Sequence, residues 1–94
     1  MGYYVLLQHL PLSHACPEAR YGLHGYKYNS PWTDGQGTLN EAIGRTVPYD
    51  KLSQAKAFAR TKILACLGVW ILTVNADGVV SRESFGRADG QFPK

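Results

Sequence analysis

Asp50-Lys51-Leu52-Ser53-Gln54-Ala55-Lys56-Ala57-Phe58-Ala59-Arg60-Thr61-Lys62-Ile63-Leu64-Ala65, followed after a short break by Val69-Trp70-Ile71-Leu72-Thr73-Val74, switches from one apolar period to another. At about 100° per residue, Leu52, Ala55, Ala59, Ile63 and Cys66 project onto one narrow stripe. Ser53, Lys56 and Arg60 fall on the polar side, and Phe58 flanks the stripe. The spacing predicts a helix over 50–65, with Asp50 as its cap, accepting from the amides of Leu52 or Ser53, and Gly68 beyond its end. Its alanines allow a close approach to a sheet. Residues 69–74 are apolar on both alternating sets, which is the signature of an interior strand. Asn75-Ala76-Asp77-Gly78 then reads as a turn, with Asp-Gly where a positive φ is wanted. Val79 to Phe85 returns as a more polar edge arm, giving a hairpin over 69–85.

Working outward, Tyr3 to Leu10 is rich in aromatic and branched residues and is stopped by Pro11, so it reads as a second interior strand. From Pro11 to Pro48 the chain is studded with prolines and glycines, too long for a plain connection. Within this insert, Tyr21 to Tyr28 and Gly44 to Val47 are the strand candidates and Leu39 to Ile43 a helical turn. The tail from Gly86 to Lys94 reads as irregular. The expected fold is a single α+β domain over 1–94: a small antiparallel sheet of three to four strands with one main helix packed on one face. One helix covers one face, whereas residues 69–74 are apolar on both. The second face therefore needs the insert, a partner or a second copy of the chain to cover it.

The chain has 94 residues, which is room for one domain. Hydrophobic residues at 45% and charged residues at 18% exclude a wholly disordered chain. The longest apolar run, Leu64 to Val74, falls well short of the roughly 20 residues a bilayer span needs, so no membrane partner is expected. Met1-Gly2-Tyr3-Tyr4-Val5 offers no basic n-region and no small-residue cleavage site, so no export signal is expected. Two cysteines beside a credible core point to reduced thiols and a cytoplasmic setting. A net charge of +3 permits an acidic partner without marking a polycation. The cations Lys51, Lys56, Arg60 and Lys62 fall in one stretch that has no acid, and a solvated helix face is the plain reading of it.

Catalysis finds little support. His9, His14, Cys16 and His24 fall close together, but His14-x-Cys16 is a poor first pair for tetrahedral zinc, and His9 sits in a strand. Cys16 beside His14 or His24 is the one sensible start for a nucleophile, and no known signature surrounds it. Asp50 is explained as a cap, Asp77 as a turn residue, and no carboxylates are paired for acid–base work. Neither a P-loop nor a dinucleotide fingerprint is present. No enzyme, metal or cofactor is expected. Binding has more to work with. Tyr21, Tyr26, Lys27, Tyr28 and Trp32 interleave aromatics with a cation as a stacking platform does. Lys56 and Arg60 on the helix and Arg82 on the edge arm can add charge. The candidate partner-binding residues are Tyr26, Lys27, Tyr28, Trp32, Lys56, Arg60 and Arg82. The same tyrosines equally describe a half-buried strand.

Two resemblances arise. Ser53-Gln54-Ala55-Lys56-Ala57-Phe58-Ala59, then Trp70-Ile71-Leu72-Thr73-Val74, Asp77-Gly78-Val79-Val80 and Ser84-Phe85-Gly86-Arg87-Ala88-Asp89 resemble a family of short uncharacterised bacterial and phage proteins. That family pairs an Ala-rich helix with an Asp-Gly hairpin and a terminal Ser-Tyr-Gly element, where this chain has Phe85 for the tyrosine. The likeness spans roughly the last half of the chain, and it implies the fold but no function. Leu52-Ser53-Gln54-Ala55-Lys56 is also similar to a helix start in one group of phage-encoded anti-CRISPR proteins. That likeness implies a non-catalytic inhibitor that occupies a host CRISPR effector complex and blocks target DNA binding. The alternative carried beside it is a small nucleic-acid-binding accessory protein that uses the basic helix face and the tyrosine-rich segment. A homodimer through the second sheet face is a third arrangement.

Overall fold

The structure, a computed structural model, describes residues 2–10, 18–88 and 90–93. His14 and Cys16, weighed above as ligand and nucleophile, lie outside the described residues, as does Asp89 of the family resemblance. The elements run β1 (Gly2–His9), β2 (Arg20–His24), β3 (Asn29–Thr33), α1 (Leu39–Gly44), α2 (Leu52–Arg60), β4 (Cys66–Asn75) and β5 (Gly78–Ala88). All neighbouring strands are antiparallel, in the order β3-β2-β1-β4-β5. The α+β class is as expected, but the sheet has five strands rather than three to four; beside the main helix, the helical turn expected over Leu39 to Ile43 stands as α1.

The extra strand comes from the insert. Tyr21 to Tyr28 does not run straight: it folds back at residues 25–28, so that Tyr21 pairs with Trp32 and Leu23 with Ser30. Pro31 is tolerated because β3 is an edge, where a missing N–H costs no ladder bond. Gly44 to Val47 is not a strand. It is the end of α1, where Thr46 donates its hydroxyl to the Ala42 carbonyl at 2.6 Å and closes the last turn. Thr38 caps the start of α1 by accepting from the Glu41 amide.

The principal helix is shorter than its apolar stripe. α2 stops at Arg60, and Thr61 returns its hydroxyl to the Phe58 carbonyl at 2.7 Å. Cys66, which continues the stripe on paper, instead opens β4. Asp50 is not the cap. Lys51 holds that position, and the Gln54 side chain accepts from the Lys51 amide at 3.1 Å. The hairpin turn uses the glycine as expected: Gly78 has φ 118°, with the Asn75 side chain accepting from the Asp77 amide.

Both faces of the sheet are buried. On one, Ala55 and Ala59 of α2 lie on Val5, Leu7, Val69 and Ile71, with Cys66 alongside. The two alanines let the helix backbone come close enough to leave those strand residues almost no exposure. Each fully buried Val or Leu contributes about 1.5–3 kcal/mol. On the other face, Tyr4, Leu6, Tyr21, Leu23, Trp32, Trp70 and Leu72 form a second core with Ala42 of α1. That face is covered in part by the insert, through α1, and in part by residues 90–93, which the sequence does not mark as structured. Phe92 meets Trp70 edge-on at 5.6 Å. The Tyr21 hydroxyl donates to the Gln91 carbonyl at 2.9 Å, and the Gln91 amide donates to the Gln8 side chain at 2.6 Å. The second face is thus buried within the chain. No helix among the described residues is long and apolar enough to cross a membrane.

Candidate interaction surface

The sequence-derived binding residues are distributed over three places. Tyr26, Lys27 and Tyr28 form the tip between β2 and β3, with Tyr26 61% and Tyr28 58% exposed. The tip is held by backbone contacts: the Gly25 amide donates to the Tyr28 carbonyl at 3.1 Å, and the Tyr26 amide to the Val47 carbonyl at 2.7 Å. Gly25 is required there because a Cβ would run into the Val47 carbonyl. Two exposed aromatic rings therefore sit on a fixed backbone, which lowers the entropy lost on docking.

Trp32 does not join them. It is 8% exposed and stacks on Tyr21 with centroids 5.4 Å apart, so it is a core residue and not an exposed anchor. The alternation that makes Trp32 look like part of a platform is the alternation that turns it inward on β3. Lys56 and Arg60 lie on α2, half-buried and exposed respectively, away from the inward-facing Ala55 and Ala59. Arg82 is elsewhere: it pairs with Leu72 and places its guanidinium 4.2 Å from the Phe92 centroid, on the face opposite α2. Arg82 therefore steadies the segment over the second core and shares no surface with Lys56 and Arg60.

Along β3 runs an open groove of about 770 Å³, lined by all five residues of that strand together with Arg20, Tyr28 and Arg45. The outer edge of β3 pairs with no strand of the sheet. Arg45 donates to the Ser30 hydroxyl at 3.1 Å, which holds it against the strand. Tyr28 thus belongs both to the tip and to an edge lined by Arg20, Arg45 and one acid, Glu41, a juxtaposition that depends on the β2–β3 fold-back and so is invisible in a linear reading.

On the α2 face of the same strands, a smaller groove of about 210 Å³ is lined by His9, Gly22, His24, Asn29, Lys62 and Cys66, among others. The His24 ring lies 4.8 Å from the Phe58 ring, and the Lys62 ammonium 5.7 Å from the same ring. Burial lowers the pKa of His9, and the charges of Arg20 and Lys62 lower it further. His24 is lowered by burial, then by His9 and Lys62. Burial raises the Cys66 thiol, and Lys62 offsets part of that rise. Sequence reasoning grouped these histidines with His14 and Cys16 by proximity along the chain. The signal that does bring them together is register: β1 and β2 are antiparallel, and His9 and His24 lie on the same side as Gly22. Among the described residues, no group of three His, Cys, Asp or Glu side chains is arranged to hold a metal ion. No family model, curated protein or solved structure matches this chain.

Proposed function

We propose that the protein is a non-catalytic interaction module that docks on an acidic protein or nucleoprotein surface through the Tyr26–Tyr28 tip, the β3 edge and the outer face of α2. The observation that carries this reading is the tip itself: two tyrosines more than half exposed, flanking Lys27, on a backbone fixed by hydrogen bonds to Val47 and across the turn. Tyrosine and arginine are the residues on which interface energy concentrates. The core is complete without the tip, so its rings answer no packing demand. In its most specific form, supported by the likeness of Leu52 to Lys56, the partner is a host CRISPR effector complex and the effect is inhibition of target DNA binding. A nucleic-acid accessory role is the second reading, favoured by Arg20 and Arg45 sharing the β3 groove with Tyr28.

The test is capture from host lysate with the tagged protein, with and without nuclease, in the native chain, in a Tyr26→Ser/Tyr28→Ser variant and in a Lys56→Glu/Arg60→Glu variant. A defined protein complex that survives nuclease and is lost in both variants supports the docking proposal. Both variants are expected to keep Tm within about 8 °C, since each carries two surface substitutions that cost about 0.5 kcal/mol or less apiece. Recovery of nucleic acid alone, with steep loss of affinity as salt rises, selects the second reading. Unchanged capture in both folded variants refutes the surface.

A further inference from the structure

Gly22 occupies the middle of β2, where a glycine weakens a strand and marks a close approach. A Cβ built there would lie 2.9 Å from His9 Nε2 and 3.5 Å from His24 Nε2. Two imidazoles, one from β1 and one from β2, thus bring the same nitrogen over Gly22, with His9 Nε2 so close that a Cβ there would have to displace it. The Phe58 ring lies against His24, tilted by 33°. The Lys62 ammonium bears on both, Arg20 adds to the positive field at His9, and Asn29 brings an amide to the rim. Among the described residues, no carboxylate lines the groove.

We infer that this groove binds a small tetrahedral oxyanion of the phosphate-monoester class, held by His9, His24, Lys62 and Asn29 above Gly22. The donor set suits an anion: a neutral imidazole offers one N–H, an ammonium three, and an amide two. A metal ion is the poorer fit, because it would sit beside the Lys62 charge, and His9, His24 and Cys66, although all three line the groove, are not arranged as a metal-holding group. At about 210 Å³ the groove falls below the roughly 300–1,000 Å³ of sites for larger organic ligands, and so fits one anionic group and little attached to it. Proton uptake is coupled to binding. Each imidazole at rest is disfavoured as a cation by burial and by its cationic neighbours, and an anion between them reverses that preference. Affinity therefore rises as pH falls. This site does not depend on the docking proposal, since neither Tyr26 nor Tyr28 lines it.

The experiment follows the His9 and His24 imidazole signals by NMR in the full chain. Sodium sulfate is titrated against sodium chloride at matched ionic strength, at pH 6 and pH 8. Sulfate keeps its charge across that range, so any pH dependence belongs to the protein. Saturable shifts of both imidazoles are expected, with affinity about tenfold higher at pH 6 than at pH 8, and about tenfold lower in Lys62→Gln, the change expected for one charge-assisted hydrogen bond. Gly22→Ala places a methyl against the mobile end of His9, so the fold survives and the His9 response is lost. Inorganic phosphate and glycerol phosphate are expected to compete with sulfate. Better competition by an oligonucleotide containing only phosphodiesters overturns the monoester assignment. Equal responses to chloride and sulfate overturn the site. A response to stoichiometric Zn²⁺ with none to sulfate overturns it in favour of a cation site.

Discussion

Phe92→Ala tests whether residues 90–93 belong to the fold or merely trail across it. Phe92 is half-buried, meets Trp70 edge-on at 5.6 Å and carries the Arg82 guanidinium 4.2 Å above its ring. Truncating a fully buried Phe costs about 3–5 kcal/mol, so roughly half of that applies here. The edge-on aromatic pair adds about 0.5–1.5 kcal/mol, and the cation over the ring about 0.5–1 kcal/mol. Against this stands the chain entropy regained when the segment loosens. We expect a net loss of about 2–3 kcal/mol, which in a domain of this size lowers Tm by roughly 10–20 °C. Urea denaturation gives the free energy, and tryptophan emission reports the mechanism. Trp70 is 7% exposed, so its uncovering should shift native emission to the red, and the shift should vanish in a Trp70→Phe background. Arg82→Gln, which removes the cation alone, should cost no more than about 1 kcal/mol. A loss below about 0.5 kcal/mol with unshifted emission would refute the view that this segment closes the second core.

Two further expectations follow from the same geometry. The folded-state pKa values of His9 and His24 lie below the unfolded value of about 6.5, so the unfolded chain binds more protons in the interval between the folded and unfolded values. Stability is then complete above pH 6.5, falls as pH drops through it, and levels off below the folded values. Urea midpoints between pH 8 and pH 5 check this, and His9→Gln/His24→Gln should flatten the slope. Gly25→Ala should destabilise by about 1–3 kcal/mol, because its methyl meets the Val47 backbone carbonyl and not a side chain that can move. Gly44→Ala, with open space around it, is the control and should be neutral within about 0.5 kcal/mol in the same denaturation assay.

What the sequence made legible was whatever one element's own periodicity encodes. The α2 stripe and the two-sided apolar run of β4 are local patterns, and both elements form there, though α2 is shorter and β4 longer than the patterns imply. The stripe overran at its C-terminal end because Ile63 and Cys66 suit a helix face and a strand equally well, and only the close of the turn at Thr61 decides between them. Wherever an outcome depended on chain segments meeting, local pattern had nothing to offer. The fold-back at 25–28 relies on Gly25 fitting under Val47, a contact made between β2 and the chain beyond α1. Residues 90–93 carry no period, and only Phe92 hints that they pack. Among the binding residues, the pattern of Tyr21 to Tyr28 read equally as a stacking platform or a half-buried strand and did not mark the tip at Tyr26 and Tyr28, and the inward turn of Trp32 and the separation of Arg82 from Lys56 follow from sheet register. His9 and His24 meet over Gly22 for the same reason.

The strand order has a consequence for how the chain is made. β1, the first strand to be synthesised, is the central one, and both its apolar sets stay uncovered until partners arrive. β2 can pair with it early, but its other edge waits for Cys66–Asn75, the far side of both helices. Such distant pairing slows folding relative to a domain built from local contacts. During translation, Val5 and Leu7 would be presented to the solvent on an open strand edge for most of elongation. That edge is the point at which a nascent chain of this kind is most exposed to chaperone capture or to pairing with a neighbour on the same polysome.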